Sequence, residues 1–223
     1  MSILSDMSTI VTATLSGDIN FKVVQAYRSD AAWYLFGPLT VIGALLVHYI
    51  YKAVPWIDRN LEKTIVVYTY IIMAAIIFVG VIQRFVFSSQ VPWSTTIPPL
   101  LFMIMAWYGC SFNVKLRTHL SFSEFRTKMS RRNQLIFLTL DNVLWMIFAI
   151  IVVTTTARVT VNTYDNFAIV LGTDDVMRWW FIITMPICFV MLAGRVVGNA
   201  FEDFENYRNG EPMIKQAVIG GDT

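Results

Sequence analysis

Five long apolar runs with very few charged residues follow one another along the chain, at residues 31–51, 64–83, 85–114, 134–157 and 179–194. About 20 helical residues, each rising ~1.5 Å, cross the ~30 Å hydrocarbon core of a bilayer. A helix at the surface of a soluble protein would show a polar face, and these runs show almost none. Backbone polar groups in lipid must be satisfied within their own segment, so we predict that the runs are helices.

The pattern therefore predicts an all-α integral membrane protein with four core transmembrane helices and an extra N-terminal membrane helix. The extra helix is the first run, which contains Gly37, Pro38, Gly43 and His48. These residues also fit a helix that is tilted or that lies at the membrane interface, so both arrangements stay open at this point.

Composition supports a membrane protein. The chain is 56% hydrophobic and 14% charged, and its mean hydropathy is +0.58, which is too apolar for a soluble domain. The formal net charge of +2 is too small to indicate a nucleic-acid partner. Cys110 and Cys188 lie inside apolar runs, where packing residues are expected. We find no nucleotide loop, paired nucleophile and base, or metal-ligand motif, and therefore predict neither enzymatic activity nor a bound cofactor.

Loop charges predict the orientation. Residues 115–132 carry six Lys or Arg side chains against one acid, Glu124, and Lys and Arg in short loops resist translocation. This segment should be cytoplasmic. Alternation then places the turn 88–96 and the loop 158–178 outside, and the connection 52–63 and the C-terminal tail inside. The N-terminus lies outside if the first run spans the membrane.

The N-terminal region gives weaker signals. Residues 1–20 are rich in Ser and Thr and lack a basic segment before an apolar one, so we predict no cleavable signal peptide. Residues 18–29 are weakly amphipathic. They fit either a helix lying along the lipid headgroups or a polar tail.

Polar residues within the runs are the candidates for chemistry. Asp141 is the only acid inside an apolar run, and an intramembrane carboxylate is a functional hypothesis by default. No second acid, Lys or Arg in another run would complete a proton relay, which favours a helix contact over a transport role. Gly194 and Gly198 form a pair of small residues that permits close helix packing.

Haem ligation offers an alternative function. The chain contains two histidines, His48 and His119, and bis-imidazole haem requires both ligands at a similar depth on facing helices. His48 lies in the first run, whereas His119 lies in the basic loop. A haem- or quinone-binding membrane anchor of a respiratory enzyme would use His48 and Asp141, and an autonomous transporter or channel would use Asp141.

Residues 61–208 resemble the small membrane subunit, of DctQ type, of tripartite ATP-independent periplasmic (TRAP) transporters. The resemblance is carried by QRFVF at 83–87, QVPW at 90–93, KLRTHLSF at 115–122 and WWFIITMPICFVMLAGR at 179–195. In two respects the chain departs from that pattern. Ser94, Thr95 and Thr96 stand where the family often has an acid after the tryptophan, and residues 1–60 add a helix.

The resemblance implies a scaffold role. In such transporters a soluble periplasmic protein delivers the substrate, usually an organic acid such as a dicarboxylate. A large membrane subunit then moves the substrate inward, coupled to a sodium gradient, so sodium is expected in that partner. The small subunit binds the large one in the bacterial inner membrane. We accordingly divide the chain into an N-terminal tail and extra helix (1–60), a DctQ-like domain (61–208) and a cytoplasmic tail (209–223).

Two groups of residues are candidate contact sites under this interpretation. Periplasmic docking is predicted for four outer residues: Arg84, Trp93, Asp174 and Asp175. Inner-face or lipid contact is predicted for five basic residues: Arg117, His119, Arg131, Arg132 and Arg195. Basic side chains at the inner interface commonly contact anionic lipid headgroups.

Overall fold

The computed structural model describes residues 3–117 and 126–214, and these residues form a bundle of helices. The helices are α1 (Ile3–Ser16), α2 (Phe21–Arg28), α3 (Ala31–Ala53), α4 (Pro55–Val86), α5 (Ile97–Leu116), α6 (Arg131–Asp165), α7 (Trp179–Ile182) and α8 (Thr184–Asn209), with a 3-10 turn at Pro92–Thr95. Five segments are long and apolar enough to cross a membrane, counting α7 and α8 as one. The predicted all-α membrane fold is confirmed.

Several helices extend beyond the apolar runs. The connection 52–63 between the first two runs is mostly the first part of α4. Helix α6 likewise continues to Asp165, into the predicted outer loop. Hydropathy detects only the part of a helix that lies in hydrocarbon, whereas helices of 32 and 35 residues are about 50 Å long. Their polar ends therefore escaped the prediction.

Local breaks follow backbone chemistry. The third apolar run is divided between the end of α4 and α5, and Ser88 in this turn has a positive φ of 51°. Pro92 begins the 3-10 turn, and prolines also open α5, where a missing N–H is harmless. The last span is interrupted at Ile183. In a regular helix the ring of Pro186 would collide with the carbonyl of Ile182, four residues earlier, and the break lies one residue after that carbonyl.

Helix α8 lies at the centre of the bundle, where it contacts α3, α5 and α6. The shared core is made of small and medium apolar side chains around one aromatic ring: Ala44, Val114, Ala149, Val153, Phe189, Leu192, Ala193 and Val196. Helix α4 packs mainly along α5 and is the least covered span.

Helix α3 runs parallel to α8 in a continuous register. A Cβ built on Gly43 would lie 2.9 Å from Val190, and one built on Gly194 would lie 2.5 Å from Val47. The two backbones therefore approach closely along their length. This packing places α3 alongside α8 in the bundle and favours the spanning arrangement over the interfacial one.

The N-terminal hairpin (α1 and α2, residues 3–28) packs on the end of α6 remote from Arg131. Its buried residues contact Ala157 and Val161 of α6. The side chain of Asn20 accepts hydrogen bonds from two backbone N–H groups and begins α2. The polar-tail alternative for residues 18–29 is therefore wrong, and sequence reasoning missed α1 because its apolar residues are separated by many Ser and Thr side chains.

Candidate functional site

A bidentate ion pair between α4 and α8 lies at the end of the bundle where α5 ends and α6 begins, which we call the inner end. Arg195 donates from Nη2 to Glu62 Oε2 at 2.6 Å and from Nε to Oε1 at 2.9 Å. Glu62 is 1% exposed and Arg195 is 5% exposed. Two buried charges are tolerated only when they are paired and fully hydrogen-bonded, and this geometry satisfies both conditions.

Two further charges extend the pair into a network. Arg195 also contacts the carboxylate of Asp58 and donates from Nη2 to its backbone carbonyl at 2.9 Å. Lys115, on α5, donates to Asp58 Oδ2 at 2.9 Å and to the same carbonyl at 2.6 Å. We call these four residues the inner charge network. Its two acids and two bases balance, so the cluster carries no net charge.

Neutral side chains complete the network from two sides. The ring centroid of Tyr51, on α3, lies 3.6 Å from Arg195 Cζ, close enough for a cation–π interaction. Its hydroxyl donates to Glu62 Oε1 at 3.4 Å, and the hydroxyl of Ser111 donates to the same oxygen at 3.0 Å. The network therefore joins α3, α4, α5 and α8 through one carboxylate and one guanidinium.

A second polar cluster lies nearby on the same side. Arg117 ends α5 in a left-handed conformation and donates to Asp203 Oδ1 at 2.5 Å and to the carbonyl of Asn199 at 3.1 Å. Asn142, on α6, donates to the other oxygen of Asp203 at 3.1 Å. Since Asp203 is buried on α8, this cluster connects α5, α6 and α8.

The predicted inner-face residues therefore occupy different environments. Arg195 is buried in the inner charge network, where its guanidinium meets the carboxylates of Glu62 and Asp58. Arg117 is paired with Asp203, and Arg131 donates to the carbonyls of Asn206 and Gly210 at the end of α8. The following residue, Arg132, is exposed. His119 lies outside the described residues.

Asp141 contacts the polypeptide just before α6 rather than another spanning helix. It forms an ion pair with Arg126, whose Nη2 also lies 3.3 Å from Asp141 Oδ1. The carboxylate lines an open groove of about 360 Å³ together with Leu144, Trp145 and Phe148. Asp141 is thus already neutralised by a base of the adjoining segment.

Gly194 and Gly198 lie on the face of α8 that touches α3. The Cβ position of Gly194 falls 2.5 Å from Val47 Cγ1, and that of Gly198 falls 3.2 Å from His48 Nδ1. The His48 ring stacks on Phe201, with centroids 5.2 Å apart. His48 therefore packs against aromatic and glycine surfaces, and in residues 3–117 and 126–214 no group of three or more potential ligands could hold a metal ion.

On the opposite side of the bundle, two connections pack together. Gly172 adopts a positive φ of 81°, and a Cβ there would lie 2.7 Å from the backbone of Pro92. Thr96 donates to the carbonyl of Leu171 at 2.7 Å. Trp93 is therefore held beside the loop that carries the exposed Asp174 and Asp175, and these three docking candidates share one surface.

Arg84, the fourth docking candidate, is exposed on the last turn of α4. Its guanidinium lies 5.9 Å from the ring of its neighbour Phe85.

Sequence reasoning missed three members of the inner charge network, Asp58, Glu62 and Lys115. The first two fall in the connection 52–63, where acids need no partner. A spacing of four residues places the two acids on one face of a helix. Together with Lys115 and Arg195, two bases at the ends of other runs, this spacing could have predicted an ion-pair network.

Comparison with known proteins gives one family. The family model for the DctQ component of tripartite ATP-independent periplasmic transporters matches residues 73–206. No curated protein matches the chain significantly. The matched region contains α5, α6, α7, most of α8 and the outer half of α4, including Arg195 and Lys115 but not Glu62. The chain belongs to the DctQ family and is a small membrane subunit of a TRAP transporter.

Proposed function

We propose that this subunit binds the large membrane subunit of its transporter and enlarges the fixed scaffold against which the transport domain moves. The main support for this proposal is the inner charge network, because a neutral cluster that joins four helices fixes their relative positions. Substrate and sodium would bind to the large subunit, and uptake of an organic acid would be coupled to the sodium gradient. A periplasmic binding protein would deliver that acid to the outer surface.

The exposure of α4 supports an interface with another membrane protein. None of its most apolar stretch is buried within the chain, whereas 44% of the corresponding stretch in α7–α8 is buried. Helix α4 is nevertheless held firmly at its inner end through Glu62. A rigid helix with an uncovered apolar face is suited to pack against a second set of membrane helices.

We further propose that the subunit lies in the bacterial inner membrane with its C-terminus in the cytoplasm. Arg131 and Arg132 begin α6 on the inner side, as expected for basic residues that resist translocation. The outer surface that includes Trp93, Asp174 and Asp175 then faces the periplasm. Together with Arg84, these residues would contact the binding protein, whereas Arg132 and His119 would contact anionic lipid.

The test is site-specific photo-crosslinking in native membranes. A photoreactive amino acid replaces Phe78 on α4, Phe102 on α5 or Leu144 on α6, three exposed side chains. We expect a crosslink to a large multi-span membrane protein from position 78, identified by mass spectrometry. Position 144 is the matched control. Crosslinks to lipid alone from every position, with no large protein co-purifying in mild detergent, would contradict the scaffold proposal.

A transport assay separates docking from assembly. Replacing Asp174 and Asp175 with Asn should lower uptake delivered by the binding protein but leave co-purification with the large subunit unchanged. Asp18→Asn, which changes an exposed acid of the N-terminal hairpin, is the control. Equal uptake in the variant and the control would exclude Asp174 and Asp175 from docking.

A further inference from the structure

Helix α1 presents three different faces. Successive residues of a helix are about 100° apart, which places the buried Ile10 and Ala13 on the face that packs against the bundle. A second face consists of hydroxyl side chains: Ser5, Ser8, Thr9, Thr12 and Ser16. Between these two faces runs a stripe of Leu4, Val11 and Leu15.

The apolar stripe is uncovered. Leu4 is 77% exposed and Leu15 is 84% exposed, and Val11 between them is also exposed. Phe21, at the start of α2, adds a fourth exposed apolar side chain. An apolar stripe bordered by a polar face is the pattern of a helix that lies in a membrane interface.

The contacts of the hairpin place it at the correct depth. Its packed face meets Ala157, where the apolar run of α6 ends, and Val161 about one turn further on. Arg158 donates to the carbonyl of Ser29 at 3.1 Å, and its guanidinium lies 5.2 Å from the centroid of the Trp33 ring. Tryptophan is enriched at the level of the headgroups. The hairpin therefore lies beside the boundary between acyl chains and headgroups.

We propose that the N-terminal hairpin is an in-plane anchor in the outer leaflet, with Leu4, Val11 and Leu15 inserted among the upper parts of the acyl chains. The hydroxyl face then meets headgroups and water. Helix α1 carries Asp6 and no Lys or Arg, so insertion depends on apolar contact and not on attraction to anionic lipid. The orientation proposed above determines only which leaflet contains the hairpin. Insertion of the hairpin requires neither the large subunit nor a substrate.

Spin labels on the full-length chain in phosphatidylcholine vesicles test the stripe. Single cysteines are introduced by Leu4→Cys, Val11→Cys and Leu15→Cys in a background in which Cys110 and Cys188 are replaced by Ala. Ser8→Cys and Thr12→Cys, on the hydroxyl face of the same helix, are the matched controls. We expect the stripe labels to collide mainly with oxygen, which concentrates in lipid, and the control labels mainly with a water-soluble nickel complex.

Either of two results would overturn the proposal. Equal accessibility of all five labels to nickel would place α1 in water. Immobile stripe labels shielded from both reagents would show that protein covers the stripe, for example a second copy of the chain. Adding phosphatidylglycerol to the vesicles should leave the oxygen-to-nickel ratio at the stripe unchanged, and a strong increase would also count against insertion by apolar contact alone.

The unmodified chain allows a second measurement that no folding defect can affect. A phospholipid carrying a carbene precursor near the top of its acyl chain should label the α1 peptide at Leu4 or Leu15. In vesicles that contain the purified chain without a partner subunit, exposed residues of α4 such as Phe78 serve as the positive control for lipid contact. Labelling of α4 without labelling of α1 would refute the anchor.

Discussion

The two ends of this bundle are held together by different chemistry. At the inner end, Glu62 and Arg195 form a buried ion pair that joins four helices through their neighbours. At the outer end, the loop at Gly172 packs directly on the backbone of Pro92, and the N-terminal hairpin is attached mainly by apolar contacts and single hydrogen bonds. Charge holds one side and close packing holds the other.

The difference follows from the topology of the chain. In the orientation proposed above, membrane insertion retains Lys and Arg at the inner end, so bases such as Lys115 and Arg195 are available there for pairing. Acids on α4 that face the bundle there can be buried without remaining unpaired. The outer end has fewer bases, and its segments are therefore positioned by glycine, hydroxyl and aromatic contacts.

Removing one member of the buried pair should have the largest effect. Arg195→Ala leaves Glu62 buried without its guanidinium, and breaking such a pair costs about 3–5 kcal/mol. We expect this loss in equilibrium unfolding in mixed detergent micelles. Arg132→Ala, at an exposed base on the same side, is the control and should change stability by less than about 0.5 kcal/mol.

The double variant Glu62→Leu with Arg195→Met sharpens the same comparison. Asp58 keeps Lys115 as its partner, so no buried charge is left unpaired, and apolar replacement of a buried pair is often neutral or stabilising. We expect the double variant to recover most of the stability that Arg195→Ala loses. A double variant as unstable as the single one would show that the ion pair itself supplies the stability.

Close packing within the membrane is tested by two alanine variants. Gly194→Ala places a Cβ 2.5 Å from Val47 and 3.3 Å from the carbonyl of Ala44, and overpacking of this kind costs about 1–3 kcal/mol. Gly109→Ala meets nothing within 4 Å and should be neutral or slightly stabilising because alanine favours helix. Thermal unfolding of the two variants in one detergent measures the difference.

The outer end can be tested with two glycines of similar conformation. Gly172 and Gly17 have φ values of 81° and 75°, so alanine at either position incurs a left-handed cost of about 1–2 kcal/mol. Only Gly172→Ala also collides with the backbone of Pro92. We therefore expect Gly172→Ala to be the more destabilised variant and to increase the quenching of the partly exposed Trp93 by a water-soluble fluorescence quencher. Equal stability of the two variants would show that the contact between Gly172 and Pro92 does not stabilise the outer end.

The smallest effect should be a pH dependence of the N-terminal hairpin. Burial raises the pKa of Tyr27, and this outweighs the opposite effect of its hydrogen bond with Thr14. A raised pKa means that the folded hairpin favours the neutral phenol. Its contribution to stability is complete below the ordinary tyrosine pKa of about 10 and is lost as pH rises through the raised pKa. The temperature of thermal unfolding should fall there, and Tyr27→Phe should remove that part of the pH dependence.

The sequence predicted the main helices because charge-free runs of membrane length are rare in soluble proteins. It also identified Arg195 and Gly194 at the end of the last run, but it could not provide their partners. Glu62 looks like a loop residue until α4 is known to extend inward past its apolar run. Pairing across the bundle depends on which helix faces meet. The local pattern of one sequence does not predict those faces.

The outer end was harder to predict for a different reason. Helix α1 has three faces, one packed on the bundle, one apolar and exposed, and one of hydroxyl side chains. Its apolar residues therefore do not follow the simple pattern of one apolar and one polar face by which an amphipathic helix is predicted. The contact between Gly172 and Pro92 joins two segments far apart in the sequence, each of which resembles an ordinary loop. The placement of Trp93 beside Asp174 was consequently visible only in the structure.

The distance along the chain between Glu62 and Arg195 has a consequence for biosynthesis. The two residues are 133 positions apart, so the ribosome completes the rest of α4 and all of α5 and α6 after Glu62 and before Arg195 emerges. During that interval Glu62 waits at the membrane without its final partner, a costly state for an acid. Chains truncated before the last helix should therefore be less stable in the membrane than the full chain, because their Glu62 never gains its guanidinium partner.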